Sequence, residues 1–237
     1  MNDKKTAAGQ APGKVFGTEA AYLIGNLTLA FGTALMAKAD FGVSMVVAPA
    51  YLLHLKVSQT ASFFTFGMAE YCLQGLVIIL MCLVIRRFKV SYLFSFVTAV
   101  FYGLLLDLFI VMIGPLPVNI PARLVYYFAG MFITGFGVAC MFHTYISPGA
   151  YELFVREVSA HFNIPLTKFK TCYDCTSCLI AVIMSFAFFG FGHFEGVYWG
   201  TILCALVNGQ IIGMFSRLLE NRFVFRDRFS FRPFFER

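Results

Sequence analysis

Gly32-Thr-Ala-Leu-Met36 closes one apolar run, Gly137-Val-Ala-Cys-Met141 closes another, and the two lie 105 residues apart. The same offset relates Tyr22 to Tyr127, Gly25 to Gly130 and Ala34 to Ala139. Each match is weak alone, because glycine is common in membrane helices. At a single offset, together, they suggest an internal repeat. The segments after the two runs strengthen it. The first run leads into Ala39-Asp-Phe-Gly-Val-Ser-Met45 and then residues 46–57; the second into Thr144-Tyr-Ile-Ser-Pro-Gly-Ala150 and then residues 151–162. Each is a break and then about three turns of helix, too short to cross a bilayer. Two ordinary apolar runs come after each one, so each half reads span, short helix, span, span. Three crossings is an odd number, so the halves lie in opposite orientations. That is an inverted-topology repeat, a layout frequent in secondary transporters.

The composition agrees. Of 237 residues, 59% are hydrophobic and 13% charged, against about 25% charged in a soluble domain. With a mean hydropathy of +0.79, this excludes a soluble globular enzyme, a disordered chain and a nucleic-acid-binding domain. Apolar runs long enough to span fall at about 17–38, 61–85, 91–113, 122–142, 172–192 and 196–216. The expected architecture is an all-α membrane protein: six transmembrane helices plus two short re-entrant or broken helices, arranged as two inverted-topology repeats. Residues 1–16 form an N-terminal tail, 17–113 the first repeat, 114–121 a linker, 122–216 the second repeat and 217–237 a basic aromatic tail. The first run is too long for a signal peptide and lacks a cleavage site.

Lysine and arginine set the orientation. Lys4, Lys5 and Lys14 precede the first span. Arg86, Arg87 and Lys89 separate the second from the third, and Arg156, Lys168 and Lys170 the fourth from the fifth. Six arginines from Arg217 to Arg237 come after the sixth. Six crossings place all four segments on one side. The prediction is a bacterial inner-membrane protein with both termini cytoplasmic.

The breaks admit two readings. Backbone left unpaired at membrane depth survives only against protein or a watery cavity. A half-helix starting there would aim its N–H groups and positive dipole end at that cavity. Phe41-Gly-Val-Ser44 and Ile146-Ser-Pro-Gly149 fit such starts, with Ser44 and Ser147 as caps and Pro148 in a first turn. The alternative is a surface loop leading into an interfacial helix.

Gly32-Thr-Ala-Leu-Met-Ala-Lys-Ala-Asp-Phe-Gly-Val-Ser44 and Gly103-Leu-Leu-Leu-Asp107 resemble the YitT/YczE-type family of small bacterial membrane proteins. That resemblance covers nearly the whole chain and implies fold more than substrate. The family's stretch after the first break tends to carry a Pro-x-Asp element. Here it reads Ser44-Met-Val-Val-Ala-Pro-Ala50, without the acid.

Intramembrane acids are the first functional candidates, because a charge at the bilayer centre is expensive. Glu70 lies in the second span with Gln74 one turn on. Asp174 lies early in the fifth span; the repeat offset places it at 69, beside Glu70. Asp107 lies mid-span in the third. These acids would couple solute movement to an ion gradient. The bland alternatives are solvation for Glu70 and an ion pair with Lys168 or Lys170 for Asp174. Glu152 opens the second short helix, where it complements the dipole or meets a solute. Lys38 and His143 share the repeat offset and would meet an anionic solute, shuttle a proton or snorkel to headgroups. Asn26, Asn208 and Gln210 read more as interhelical glue than as ligands.

Cys172, Cys175 and Cys178 share a helix face, but no further cluster completes a metal site; packing is the expected role. No metal, cofactor or catalytic residue is expected, and no nucleotide-binding or hydrolase motif is present. Gly196-x-x-x-Gly200 and Gly209-x-x-x-Gly213 would permit close helix contact, within the fold or in a homodimer. The tail Arg222-Phe-Val-Phe-Arg-Asp-Arg-Phe-Ser-Phe-Arg232 is expected on the anionic leaflet. The expected partners are membrane lipid and a small-molecule solute, with no nucleic acid. The expected function is a secondary transporter or exporter of a small, anionic solute, with a passive channel or an accessory protein acting through its tail as alternatives.

Overall fold

Six long helices carry the chain back and forth across a membrane-sized slab. The computed structural model describes residues 14–146, 149–190 and 196–227. The long helices are α1 (Thr18–Ala39), α3 (Phe66–Ile85), α4 (Ser91–Ile113), α5 (Ile120–Phe142), α7 (Leu166–Phe189) and α8 (Trp199–Arg222). Each is long and apolar enough to span a bilayer, and the chain is a multi-pass membrane protein. Two short helices interrupt the series: α2 (Ala48–Val57) after α1, and α6 (Ala150–His161) after α5. The expected spans are all present; the fifth begins six residues earlier than its apolar run, because Lys168 and Lys170 join its first turns.

Local sequence explains several helix ends. Thr65 caps α3 by accepting from Met68 N–H, and Asn119 caps α5 by accepting from Ala122 N–H, with a proline in the first turn. Asp40 stops α1 in a left-handed conformation, φ 53°. Arg123 then locks that end. Its guanidinium donates to Ala39 O at 2.7 Å, to Asp40 O at 2.9 Å and to Asp40 Oδ2 at 3.1 Å, and it covers the Phe41 ring.

The centre of the bundle is the crossing of α1 with α5. Gly25 faces Gly137, and Gly32 faces Gly130. Numbers rise along one helix as they fall along the other, so the two run antiparallel. At all four positions a Cβ would lie within 3.0 Å of a carbonyl oxygen of the opposite helix. Only glycine lets the two backbones approach this closely. The offset of 105 residues maps the two α1 glycines, Gly25 and Gly32, onto the two α5 glycines, Gly130 and Gly137.

Several of the remaining contacts keep the same order, although the extensive packing of α3 on α4 has no comparable α7–α8 counterpart among the described residues. α1 packs on α4 as α5 packs on α8, α3 on α6 as α7 on α2, and α2 on α3 as α6 on α7. Each short helix docks along a long helix of the other half. Ala150 at the start of α6 meets Gln74, well inside α3. Ile78, Met81 and Ile85 of α3 and Tyr92 of α4 pack with Ala150, Leu153 and Val158 of α6. Ala48 and Leu52 of α2 pack with Ala181 of α7 and Cys204 of α8. Lys56 near the end of α2 reaches Phe188 O at the end of α7. Both short helices thus begin inside the bundle and end at opposite faces.

The tails depart from expectation. Lys14–Gly17 (β1) and Phe223–Arg226 (β2) pair as a two-stranded parallel ribbon. The start of the basic aromatic tail is therefore folded against the N-terminal segment rather than laid freely along a membrane. Phe16 packs against Phe223 and Phe225, and Thr18 Oγ1 donates to Asp227 Oδ1. The rest of the tail, from residue 228, lies outside the described residues. We call the face carrying this ribbon the terminal face.

Candidate functional site

The site grows from one residue, Glu70. It lies one turn into α3 and has no exposed surface, so the solvated reading of Glu70 does not hold. Gln74 Nε2, one turn on, donates to Glu70 Oε2 at 3.1 Å. Tyr151 OH, from the first turn of α6, donates to the same oxygen at 3.1 Å. Glu70 Oε1 is buried without a hydrogen-bond partner. Tyr102 of α4 and Tyr173 of α7 are close enough to feel the Glu70 charge, and Tyr102 OH donates to Thr33 Oγ1 of α1. No lysine or arginine pairs with Glu70 among the described residues. A carboxylate in such a place needs a countercharge, a proton or a ligand.

Gln74 links this network to the start of α6, where its Oε1 accepts from Ala150 N–H at 3.1 Å. Glu152 Oε2 crowds the same end, beside Gly149. The positive end of α6 therefore faces two protein oxygens. Gln74, Gly149 and Glu152 also line a cavity of about 30 Å³, room for about one or two waters. Asn26, Leu29, Thr98 and Tyr102 close it from the first half, and Val138, Met141 and Phe142 from the second. It thus lies between the two halves. Asn26 is 1% exposed and its Oδ1 has no partner; its amide donates weakly to Tyr22 O at 3.4 Å. Asn26 therefore belongs to the cavity as well as to the helix packing.

The other candidates scatter. Asp174 lies on α7 with Lys170 Nζ 3.5 Å away, a distance that pairs charges at the limit of hydrogen bonding. It is near enough to Glu152 for the two charges to repel and does not meet Glu70 as its mirror image. Asp107 is tied to the start of α3. Its Oδ2 accepts from Thr65 Oγ1 at 2.6 Å and its Oδ1 from Gly67 N–H at 2.8 Å. Both oxygens thus serve the α3 N-terminus. Lys38 donates to Gly114 O at 2.8 Å near the far face. His143 stacks on Phe225 with ring centres 4.4 Å apart and shares a 3.0 Å hydrogen bond with Ser216 Oγ at the terminal face. Nearby, Tyr145 donates to Glu19; burial and that carboxylate push the hydroxyl up to about 12. Ser44 sits at the turn into α2, its carbonyl accepting from Val47 and Ala48 N–H. Ser147 lies outside the described residues.

Two participants were missed by sequence reasoning. Tyr151 stands directly before Glu152, but nothing local reveals that it reaches across to α3. Tyr102 adjoins the Gly103 motif, yet its bond to Thr33 joins residues 69 apart. Cys172 and Cys175 are exposed on α7 and Cys178 is half-buried. Of the small-residue pairs, Gly200 packs under Tyr127 and Phe41 O, whereas Gly209 and Gly213 face open space.

Residues 17–217 match a family of unknown function, DUF6198. The chain belongs to that family. No curated protein and no solved structure shows significant similarity to it.

Proposed function

We propose that the chain is a secondary transporter or exporter of a small solute, with no enzymatic activity of its own. Glu70 carries this reading: a fully buried carboxyl group with one unpartnered oxygen, linked through Gln74 to a cavity between the halves. Intramembrane acids of this kind mark ion and substrate pathways. The two halves are read as inverted repeats, supported by the antiparallel glycine crossing and the matched helix contacts. In such folds the solute site lies between the repeats, at helices that begin inside the membrane. Here α6 is that helix, and Glu70 is the coupling group that exchanges a proton or cation while Tyr151 and Gln74 report its state to α6. The lysine and arginine distribution supports a cytoplasmic location for the ribbon and both termini, in the inner membrane of a bacterium. The likeness to YitT/YczE-type proteins agrees with that setting.

Reconstitution into proteoliposomes tests the reading. Solid-supported membrane electrophysiology or an internal pH dye would be read while small amines, carboxylates and sugars are pulsed. The expected result is a saturable, solute-dependent signal with counterflow, abolished in Glu70→Gln. Linear flux without counterflow would mean a channel. Silence throughout would end the transport reading.

A further inference from the structure

Two unpartnered oxygens bear on this cavity: Asn26 lines it, and Glu70 is joined to it through Gln74. Asn26 Oδ1 and Glu70 Oε1 are both buried, both without partners and both acceptors. The charges are lopsided as well. Among the described residues, Glu70 on α3, Glu152 on α6 and Asp174 on α7 stand against one nearby ammonium, Lys170, which lies 3.5 Å from Asp174 and is shared with Glu152. The other polar groups near Glu70 and Glu152 include the Gln74 amide and the hydroxyls of Tyr102, Tyr151 and Tyr173.

An anion finds little here. The start of α6 already gives Ala150 N–H to Gln74 and has Glu152 folded over it. Lys38 is spent on Gly114 O near the far face. Among the described residues no lysine or arginine lines the cavity; the nearest cation is Lys170, which lies on the Asp174 side of Glu152.

We propose, resting on the transporter reading, that the solute is a small organic cation with N–H donors, such as a primary ammonium or a guanidinium. Its head docks between Asn26 Oδ1 and the carboxylates of Glu152 and Glu70. A buried acceptor left unpaired costs about 1–3 kcal/mol, and more for a charged one. A donor cation removes that cost at two places and balances the excess of acids. The cavity of about 30 Å³ admits only the head group as it stands; a larger body would require the halves to part.

The test uses the full-length protein in detergent, with thermal unfolding read in millimolar methylammonium, guanidinium, tetramethylammonium or acetate. Tetramethylammonium carries the charge without the donors; acetate carries the opposite charge. Methylammonium or guanidinium should raise the midpoint, and the two controls should not. Asn26→Ala and Glu152→Gln should each weaken the apparent affinity at least about tenfold, equivalent to about 1.4 kcal/mol, with Glu70→Gln as a third variant. An equal effect of tetramethylammonium, an effect of acetate alone, or an amine effect that survives in all three variants would overturn the proposal. No effect of any probe would overturn it too, and would leave protons to balance the acids. The same salts pulsed onto proteoliposomes separate the two ideas. Amine binding without flux upholds the cation site and defeats the transporter reading. Acetate currents without amine currents do the reverse.

Discussion

Replacing Gly32 by alanine puts one carbon into the α1–α5 crossing. That carbon would lie 2.7 Å from Gly130 O, 2.7 Å from Thr134 Cγ2 and 2.8 Å from Thr134 N. Two of these are backbone atoms and cannot turn aside. Comfortable contact between nonbonded carbons is about 3.5–4.0 Å, so α1 and α5 must separate by roughly 1 Å. Alanine recovers about 1 kcal/mol of helix propensity over glycine. Overpacking costs about 1–3 kcal/mol, and separation also loosens the Gly25–Gly137 contact further along the seam. The expected balance is a net loss of about 1–2 kcal/mol. For a chain of this size that lowers the melting midpoint by about 2–8 °C. Gly209→Ala is the matched control: nothing lies within 4 Å of its added carbon, so it should gain up to about 1 kcal/mol. Thermal unfolding of both variants in one detergent, by intrinsic fluorescence, compares them directly. A Gly32→Ala protein that melts at or above wild type would refute a tight seam, as would a Gly209→Ala protein that loses as much.

Thr65→Ala removes both the α3 cap and a donor to Asp107, and should cost about 1–2 kcal/mol by thermal unfolding while leaving any ligand shift intact. Arg123→Lys keeps the charge but loses the three-bond fork at the end of α1. A loss of about 1–2 kcal/mol is expected, and a silent substitution would contradict the locking role. Tyr151→Phe strips one of two donors from Glu70 Oε2 and should cost about 1–3 kcal/mol, with a smaller loss when Glu70 is already glutamine. Full additivity of that pair would mean the two side chains do not interact. A chain ending at Arg222 loses β2 and the Phe225 ring over His143; limited proteolysis should then cut sooner near residues 14–17.

The architecture was legible because it rests on local signals. Hydrophobic runs mark spans, Gly/Ser/Pro clusters mark breaks, and glycines matched at one offset mark a repeat. The seam itself was not legible, because the offset relates Gly25 to Gly130 and Gly32 to Gly137 whereas the contacts pair Gly25 with Gly137 and Gly32 with Gly130. The site was legible only in part. Glu70 with Gln74 could be found because an acid stands out in an apolar helix, and Glu152 because it opens the second short helix. Their partners could not, because Tyr151 to Glu70 is a contact across 81 residues. Asp107 was misleading for a physical reason. It is flanked by apolar residues, but the space beside it is the start of another helix, whose free N–H groups satisfy a carboxylate as well as any ligand. Asp174 shows the limit of the offset. Lengths differ between the halves beyond the first helix, so arithmetic that aligns α1 with α5 slips by the time it reaches α3 and α7. The terminal strands gave no warning, since a Phe/Arg alternation beside a membrane looks the same whether it meets lipid or another strand.

The pairing of Lys14–Gly17 with Phe223–Arg226 makes the chain, mechanically, a ring. An open string of helices can swing either end freely; a ring cannot. If α8 tilts, the ribbon pulls on α1, and α1 is gripped by α5 along the glycine seam. Movement begun anywhere must therefore travel around the loop and close on itself. Loosening the ribbon would change how the whole circuit flexes, at a distance from the cavity and without touching a single residue that lines it.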